Sequence, residues 1–237
     1  MGEDDMKVNL GGVVPLSTVD WPGVAATVIF LRGCPLRCPH CQNSHLQTGE
    51  SLVELSVVNE NIQEAAPFVS AVVLSGGEVM MQPSAAEEMA RFARVRSLKV
   101  GIETCGYYPD RLAGLVEKGL VDRVFLDVKA ALRDPEYARV TGRENVASRV
   151  KDSLERCIEL GVPLEVRTTV FPEMPSSGEL REIAGSLFRR GIEVLVLQQG
   201  LPGEDEFEPL SKERLEELAS TIEDLIKVSV RVPGSLG

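Results

Sequence analysis

Short runs rich in β-branched and other apolar residues recur along the chain, at residues 26–31, 71–74, 99–102, 123–127, 164–170 and 194–197, and each closes on polar residues. Runs of this length bounded by turn formers predict strands in the interior of a sheet. Between them the apolar positions recur with helical spacing, over residues 51–66, 84–96, 109–118, 147–160, 177–190 and, past the last strand, 211–227. Ser or Pro opens several of these segments, and Gly161 and Gly191 stand where helices end. Parallel strands need long crossover connections, so six strand-and-helix units in series predict an α/β fold with a parallel sheet covered by helices. Spacing alone fits either an open doubly wound sheet or a curved partial barrel. Residues 228–232 read as a short extra strand.

The polar residues that follow the runs carry the functional signal. In chain order they are Arg32-Gly33-Cys34, Ser75-Gly76-Gly77-Glu78, Glu103-Thr104-Cys105-Gly106, Asp127-Val128-Lys129, Arg167-Thr168-Thr169 and Gln198-Gln199-Gly200. In α/β folds the sites collect at the carboxyl ends of parallel strands. One crowded site at that end of the sheet is the simplest expectation.

Composition removes whole classes of function. The chain has 237 residues, of which 43% are hydrophobic, and neither disorder nor a collagen-like repeat fits that balance. Its net charge is −11, with a pI near 4.8, which repels phosphate backbones and anionic membranes. No nucleic-acid partner is expected. The apolar stretches fall far short of the ~20 residues a membrane span requires, and the acidic start carries no leader pattern, so a soluble, cytoplasmic protein is expected. No repeat or flexible linker divides the sequence, which reads as a single domain.

Cysteines narrow the chemistry further. There are five, Cys34, Cys38, Cys41, Cys105 and Cys157, an odd number with three of them inside eight residues. That is a poor disulfide framework and a good metal-ligand pattern, as expected for a reducing compartment. The thiolates of Cys34-Pro-Leu-Arg-Cys38-Pro-His-Cys41 are soft ligands able to meet at one metal centre, but three are one short of a closed site. Completion by His45 gives a tetrahedral zinc, the staple of a non-enzymatic binding domain. Without a fourth ligand the triad suits a 4Fe-4S cluster with one iron open to a small molecule. Cys157 falls in a helical segment and reads as a core residue, while Cys105 stands at a strand end near the expected site. Leu74-Ser-Gly-Gly-Glu78 has the look of an ATP-cassette signature, yet no Gly-rich phosphate loop ending in Lys-Ser or Lys-Thr accompanies it. Asp127 and Lys129 share one face of a strand and could simply pair there. With only two histidines in the chain, a multi-His metal site is excluded.

The Cys-x3-Cys-x2-Cys loop after a first strand, followed by Gly-Gly-Glu after the second, resembles the radical S-adenosylmethionine (SAM) superfamily. Residues 14–23, with their Asp-Trp-Pro-Gly, and residues 30–43 are similar more narrowly to glycyl-radical-enzyme activases, in particular those of anaerobic ribonucleotide reductases. The resemblance implies a partial (β/α)6 barrel in a single domain, with residues 1–23 as an N-terminal extension, 24–200 as the barrel core and 201–237 as a C-terminal helix and tail. It implies that Cys34, Cys38 and Cys41 hold a 4Fe-4S cluster whose remaining iron is chelated by S-adenosyl-L-methionine. His40 would lie near the adenine. Gly76, Gly77 and Glu78 would receive the methionine amino group. Glu103 stands where an acid helps to hold a monovalent cation, although Glu and Cys replace the Asp and Asn of that stretch. Asp127 and Lys129 match an Asp-Leu-Lys associated with cofactor and glycyl-loop placement, and Arg167 matches a cofactor-contacting Arg. Gln198-Gln199 stands where a ribose-side His is found in formate-lyase activases, with Gln199 taken as its equivalent, and Gln42 also replaces a frequent His.

The implied reaction is reductive cleavage of S-adenosyl-L-methionine to a 5'-deoxyadenosyl radical that abstracts hydrogen from a backbone glycine of a partner glycyl radical enzyme, an anaerobic ribonucleotide reductase above all. An electron donor such as flavodoxin or ferredoxin is implied with it. The competing readings are a small-molecule enzyme of the same superfamily, similar to 7-carboxy-7-deazaguanine synthase, and the zinc-stapled binding domain. The residues after Cys41, Gln42 and Asn43, depart from the Asp-Thr pair usual in that synthase.

Overall fold

The computed structural model describes residues 6–201 and 208–232; the remainder of the expected extension and tail, residues 1–5, 202–207 and 233–237, lies outside the described residues. Six parallel strands match the six sequence runs: β2 (Ala26–Leu31), β4 (Ala71–Gly76), β5 (Lys99–Thr104), β6 (Arg123–Asp127), β7 (Leu164–Val170) and β8 (Val194–Gln199). Two further strands, β1 (Lys7–Ser17) and β3 (Leu52–Glu54), extend the β2 edge antiparallel, and β9 (Lys227–Arg231) pairs in parallel with β8. The nine strands run β3-β1-β2-β4-β5-β6-β7-β8-β9 in one sheet. Helices α1 (Leu55–Ala65), α2 (Pro83–Val95), α3 (Pro109–Glu117), α4 (Asp134–Thr141), α5 (Ala147–Glu159), α6 (Ser177–Phe188) and α7 (Lys212–Ser220) connect them. This is the partial (β/α)6 barrel.

Side chains alternate across a strand, so every strand divides its residues between two faces. One face of β4 to β8, with Val72, Leu74, Val100, Ile102, Val124, Leu126, Val166, Leu195 and Leu197, packs with the helices into the main core. On the other face Ala26, Val28, Ala71, Val73 and Phe125 close around Trp21 in a second, smaller cluster. Trp21 meets Phe125 edge to face at 5.6 Å, and a methyl on Gly101 would lie 3.0 Å from both rings, so β5 needs a glycine there. Two residues further along the same face the apolar floor gives way to Ser75, Glu103, Asp127 and Arg167.

The sequence reading misses β1, β3 and α4. In β1 the register slips between Leu10 and Gly12 and again between Val14 and Ser17, which breaks the alternation that marks a strand. Helix α4 is only eight residues long, opened by Pro135 and closed by Gly142 in the left-handed region at φ 64°. The strand expected at 228–232 is present as β9.

Candidate active site

A cavity of about 950 Å³ opens at the carboxyl ends of the parallel strands, the end at which the polar residues were expected to converge. Cys34, Cys38 and Cys41 all line it, carried by the loop after β2. Cys38 is buried and burial pushes its thiol up to about 11, whereas the Cys105 thiol, hydrogen-bonded to Cys34, draws Cys34 below the ordinary range and is itself held protonated. The Leu36 amide also donates to Cys34 Sγ at 3.4 Å. Asn43 Nδ2 reaches the Gly76 carbonyl at 3.5 Å, and the Gly77 and Glu78 amides donate to the Leu31 and Gly33 carbonyls at 2.8 Å. The cysteine loop and the Gly-Gly turn are thereby fastened to each other.

Both glycines are demanded by this packing. A Cβ on Gly76 would lie 2.2 Å from the Leu31 carbonyl oxygen at φ +118°, and one on Gly77 would lie 2.2 Å from that of Gly33. Their backbone lines the cavity, but Glu78 does not. Its fully buried carboxylate accepts from Met80 N and Thr104 Oγ1 at 2.9 Å and from Cys105 N at 2.8 Å. Glu78, expected beside the cofactor's ammonium group, thereby ties the end of β4 to the end of β5 from behind the cavity wall.

The remaining strand-end residues meet in the cavity as charge pairs. Arg167 lies over the Phe125 ring at 4.1 Å and donates to Glu103 at 2.5 Å, to Glu165 at 2.7 Å and to the Asp20 carbonyl at 3.0 Å. Burial pushes Glu103 up, against the pull of Arg167 and of the Ser75 hydroxyl, which donates to it at 2.6 Å. Lys129 Nζ pairs with Asp127 at 3.1 Å, and both line the cavity. Burial opposes the charge on Lys129, but the Asp127 carboxylate beside it leads the negative groups that hold its pKa well above normal. His40 is buried edge-on against Phe171 at 5.5 Å, and desolvation lowers it to about 4, so its imidazole is neutral. Gln199 lines the cavity and donates to the Leu210 carbonyl at 2.5 Å.

The radical SAM superfamily pattern matches residues 28–178, well over half of the chain. The chain belongs to the radical SAM superfamily. A Methanocaldococcus jannaschii protein named as a glycyl-radical enzyme activating enzyme is 30% identical over 220 residues, covering 90% of each chain. The pyruvate formate-lyase-activating enzyme of Clostridium pasteurianum is 28% identical over 177 residues, 71% of each chain, and the 7-carboxy-7-deazaguanine synthase of Hyperthermus butylicus 28% over 176 residues, 68% of this chain and 74% of that one. Among solved structures, a radical SAM methyltransferase from Sphaerobacter thermophilus shares the fold at a TM-score of 0.76, with 15% identity over 91% of this chain and 68% of that one. This radical SAM chain is an enzyme, and its family implies a 4Fe-4S cluster and SAM.

The residues present fit that pair. Three soft thiol ligands on one short loop line the cavity together with Gly76 and Gly77, a donor set suited to an iron–sulfur cluster with room beside it. His45, the fourth ligand of the zinc alternative, is exposed and does not line the cavity. Sequence reasoning named Ser75 only as one of the strand-end polar residues and gave no site role to Asp20, Trp21 or Glu165; these four build the floor and wall around Glu103 and Arg167. The lone Trp in Asp20-Trp21-Pro22-Gly23 was the available signal. Among the described residues, no helix is long and apolar enough to cross a membrane.

Proposed function

We propose that this enzyme is a glycyl-radical-enzyme activase whose partner is an anaerobic ribonucleotide reductase or a close relative. The observation that carries the reading is the cysteine triad at one wall of a cavity whose other walls are strand-end polar groups, in a chain whose relatives are named as activating enzymes. When bound, the cluster and SAM supply an electron and a carbon-centred radical able to remove hydrogen from an unactivated C–H bond.

Everything else falls to the chain's own residues. Cys34, Cys38 and Cys41 hold the cluster, and the fourth thiol, Cys105, stays protonated against Cys34. Gly76 and Gly77 bring backbone close to the methionine end of the cofactor. Neutral His40, packed on Phe171, offers an apolar edge to the adenine, and Gln199 a hydrogen-bonding edge to the ribose. Asp127 and Lys129 present both signs of charge beside the cysteines. Glu103 is matched by Arg167 and Ser75 in place of a monovalent cation. A cavity of about 950 Å³ stands at the large end of small-molecule sites, about 300–1,000 Å³, which leaves space for a partner's peptide loop beside the cofactor. An electron donor such as flavodoxin or ferredoxin, and a reducing cytoplasm, belong to the same reading.

A small-molecule substrate is the second reading, favoured by the match to the 7-carboxy-7-deazaguanine synthase. Electron paramagnetic resonance separates the two. The reconstituted, reduced enzyme is incubated with SAM and candidate glycyl radical enzymes; a glycyl doublet on a partner is the expected result. Formation of 5'-deoxyadenosine with no protein radical on any candidate overturns the activase reading and leaves the family intact.

A further inference from the structure

Most arginines of this chain are ion-paired, but Arg37, Arg111, Arg143 and Arg149 make no ion pair with any described residue, and all four are exposed. Three of them gather around two adjacent rings. Arg143 and Arg149 lie over Tyr107 at 4.8 and 4.5 Å, Arg111 lies over Tyr108 at 4.4 Å, and the rings meet edge to face at 4.9 Å. Stacking fixes the guanidinium planes; Arg111 gives one N–H to the Met80 carbonyl at 2.8 Å, and the N–H groups left over can meet carboxylates. Arg37 belongs to the cysteine loop itself and donates to the Cys34 and Leu36 carbonyls at 2.6 and 2.7 Å, while Arg143 donates to that of Pro35 at 3.0 Å. Of the acids beside it, Asp110 is taken by Arg156, and Glu144 and Asp152 leave the four arginines in excess.

We infer that this patch is the docking site of a small acidic one-electron carrier protein, which delivers the electron that SAM cleavage consumes. The net charge of −11 repels acidic proteins in general, so a local group of arginines without ion pairs favours the docking of one at this place. It lies on the outside of the loop that holds the cluster ligands, and none of the four arginines lines the cavity. A carrier seated there loses one electron to the cluster with no bond made or broken, and the mouth of the cavity stays open to the substrate. The inference rests on reductive SAM cleavage and not on the identity of the hydrogen donor.

The test pairs Arg149→Glu, whose wild-type side chain lies over the Tyr107 face, with the double variant Arg143→Glu/Arg149→Glu. Binding of an acidic flavodoxin is followed by flavin fluorescence anisotropy at low and high salt, and 5'-deoxyadenosine formation is measured with reduced flavodoxin and, separately, with dithionite. Flavodoxin binding and the flavodoxin-driven rate are expected to fall about tenfold in Arg149→Glu at low salt, and further in the double variant, with the dithionite rate unchanged in Arg149→Glu. Wild-type binding by both variants overturns the inference, because the carrier then docks elsewhere. Equal losses with both reductants in Arg149→Glu overturn it as well, assigning the arginine to holding the loop. Loss of duplex-RNA binding with flavodoxin binding intact makes the patch a nucleic-acid site. Failure of the activase reading shows separately, as a missing partner radical with 5'-deoxyadenosine still formed.

Discussion

At Gly76 and Gly77 there is no room for a methyl group, since either Cβ would lie 2.2 Å from a carbonyl oxygen of the β2–loop junction. The third residue of that motif works differently. Glu78 has the chemistry of an ammonium acceptor, and sequence alone cannot tell that Met80, Thr104 and Cys105 already fill its oxygens. Replacing it by Ala strands three buried donors beside the cysteine loop. Glu78→Ala is expected to lose about 2–4 kcal/mol in urea unfolding, with Glu78→Gln losing less because one oxygen acceptor remains. A loss below about 0.5 kcal/mol in Glu78→Ala would contradict the positioning role.

Between elements, the inner face is joined by charge. Glu165 on β7 receives Arg167 from its own strand, Arg123 from β6 at 3.3 Å and Arg231 from β9 at 3.1 Å, and Arg167 passes on to Glu103 on β5. Burial alone would push Glu165 up, but the three arginines hold it below the ordinary carboxylate range. A lowered folded-state pKa contributes stability above the unfolded value of about 4.3, and that contribution fades as the pH falls through the folded value. Glu165→Gln is thus expected to be less stable than wild type by about 3 kcal/mol at neutral pH, with the gap narrowing below about pH 4, as read from urea midpoints across pH. A gap that stays constant down to acid would contradict the network. Little of this network was legible in the sequence, because Glu165 and Arg231 sit in strands whose neighbours are set only by the sheet order. The six parallel strands were legible, since their β-branched runs are buried on both faces; β1 was not, because its two bulges scramble the alternation.

On the scale of the molecule, strand-end polarity, the cysteine spacing and the Gly-Gly turn all pointed to one end of the sheet, and the structure gathers Cys34, Cys38, Cys41, His40, Gly76, Gly77, Glu103, Asp127, Lys129, Arg167 and Gln199 around a single cavity. The floor came from outside the runs, from Trp21 in the segment read as an extension. The chain is acidic overall, and the arginines stacked on Tyr107 and Tyr108 stand beside the cysteine loop and outside the cavity. The measurement that reaches the central claim most directly is anaerobic reconstitution with iron and sulfide, followed by reduction with SAM and quantification of 5'-deoxyadenosine. The account predicts about four iron and four sulfide per chain in a coloured protein that forms 5'-deoxyadenosine, with both lost in Cys38→Ala. A colourless protein, or a Cys38→Ala variant with unchanged metal content and product, would contradict it.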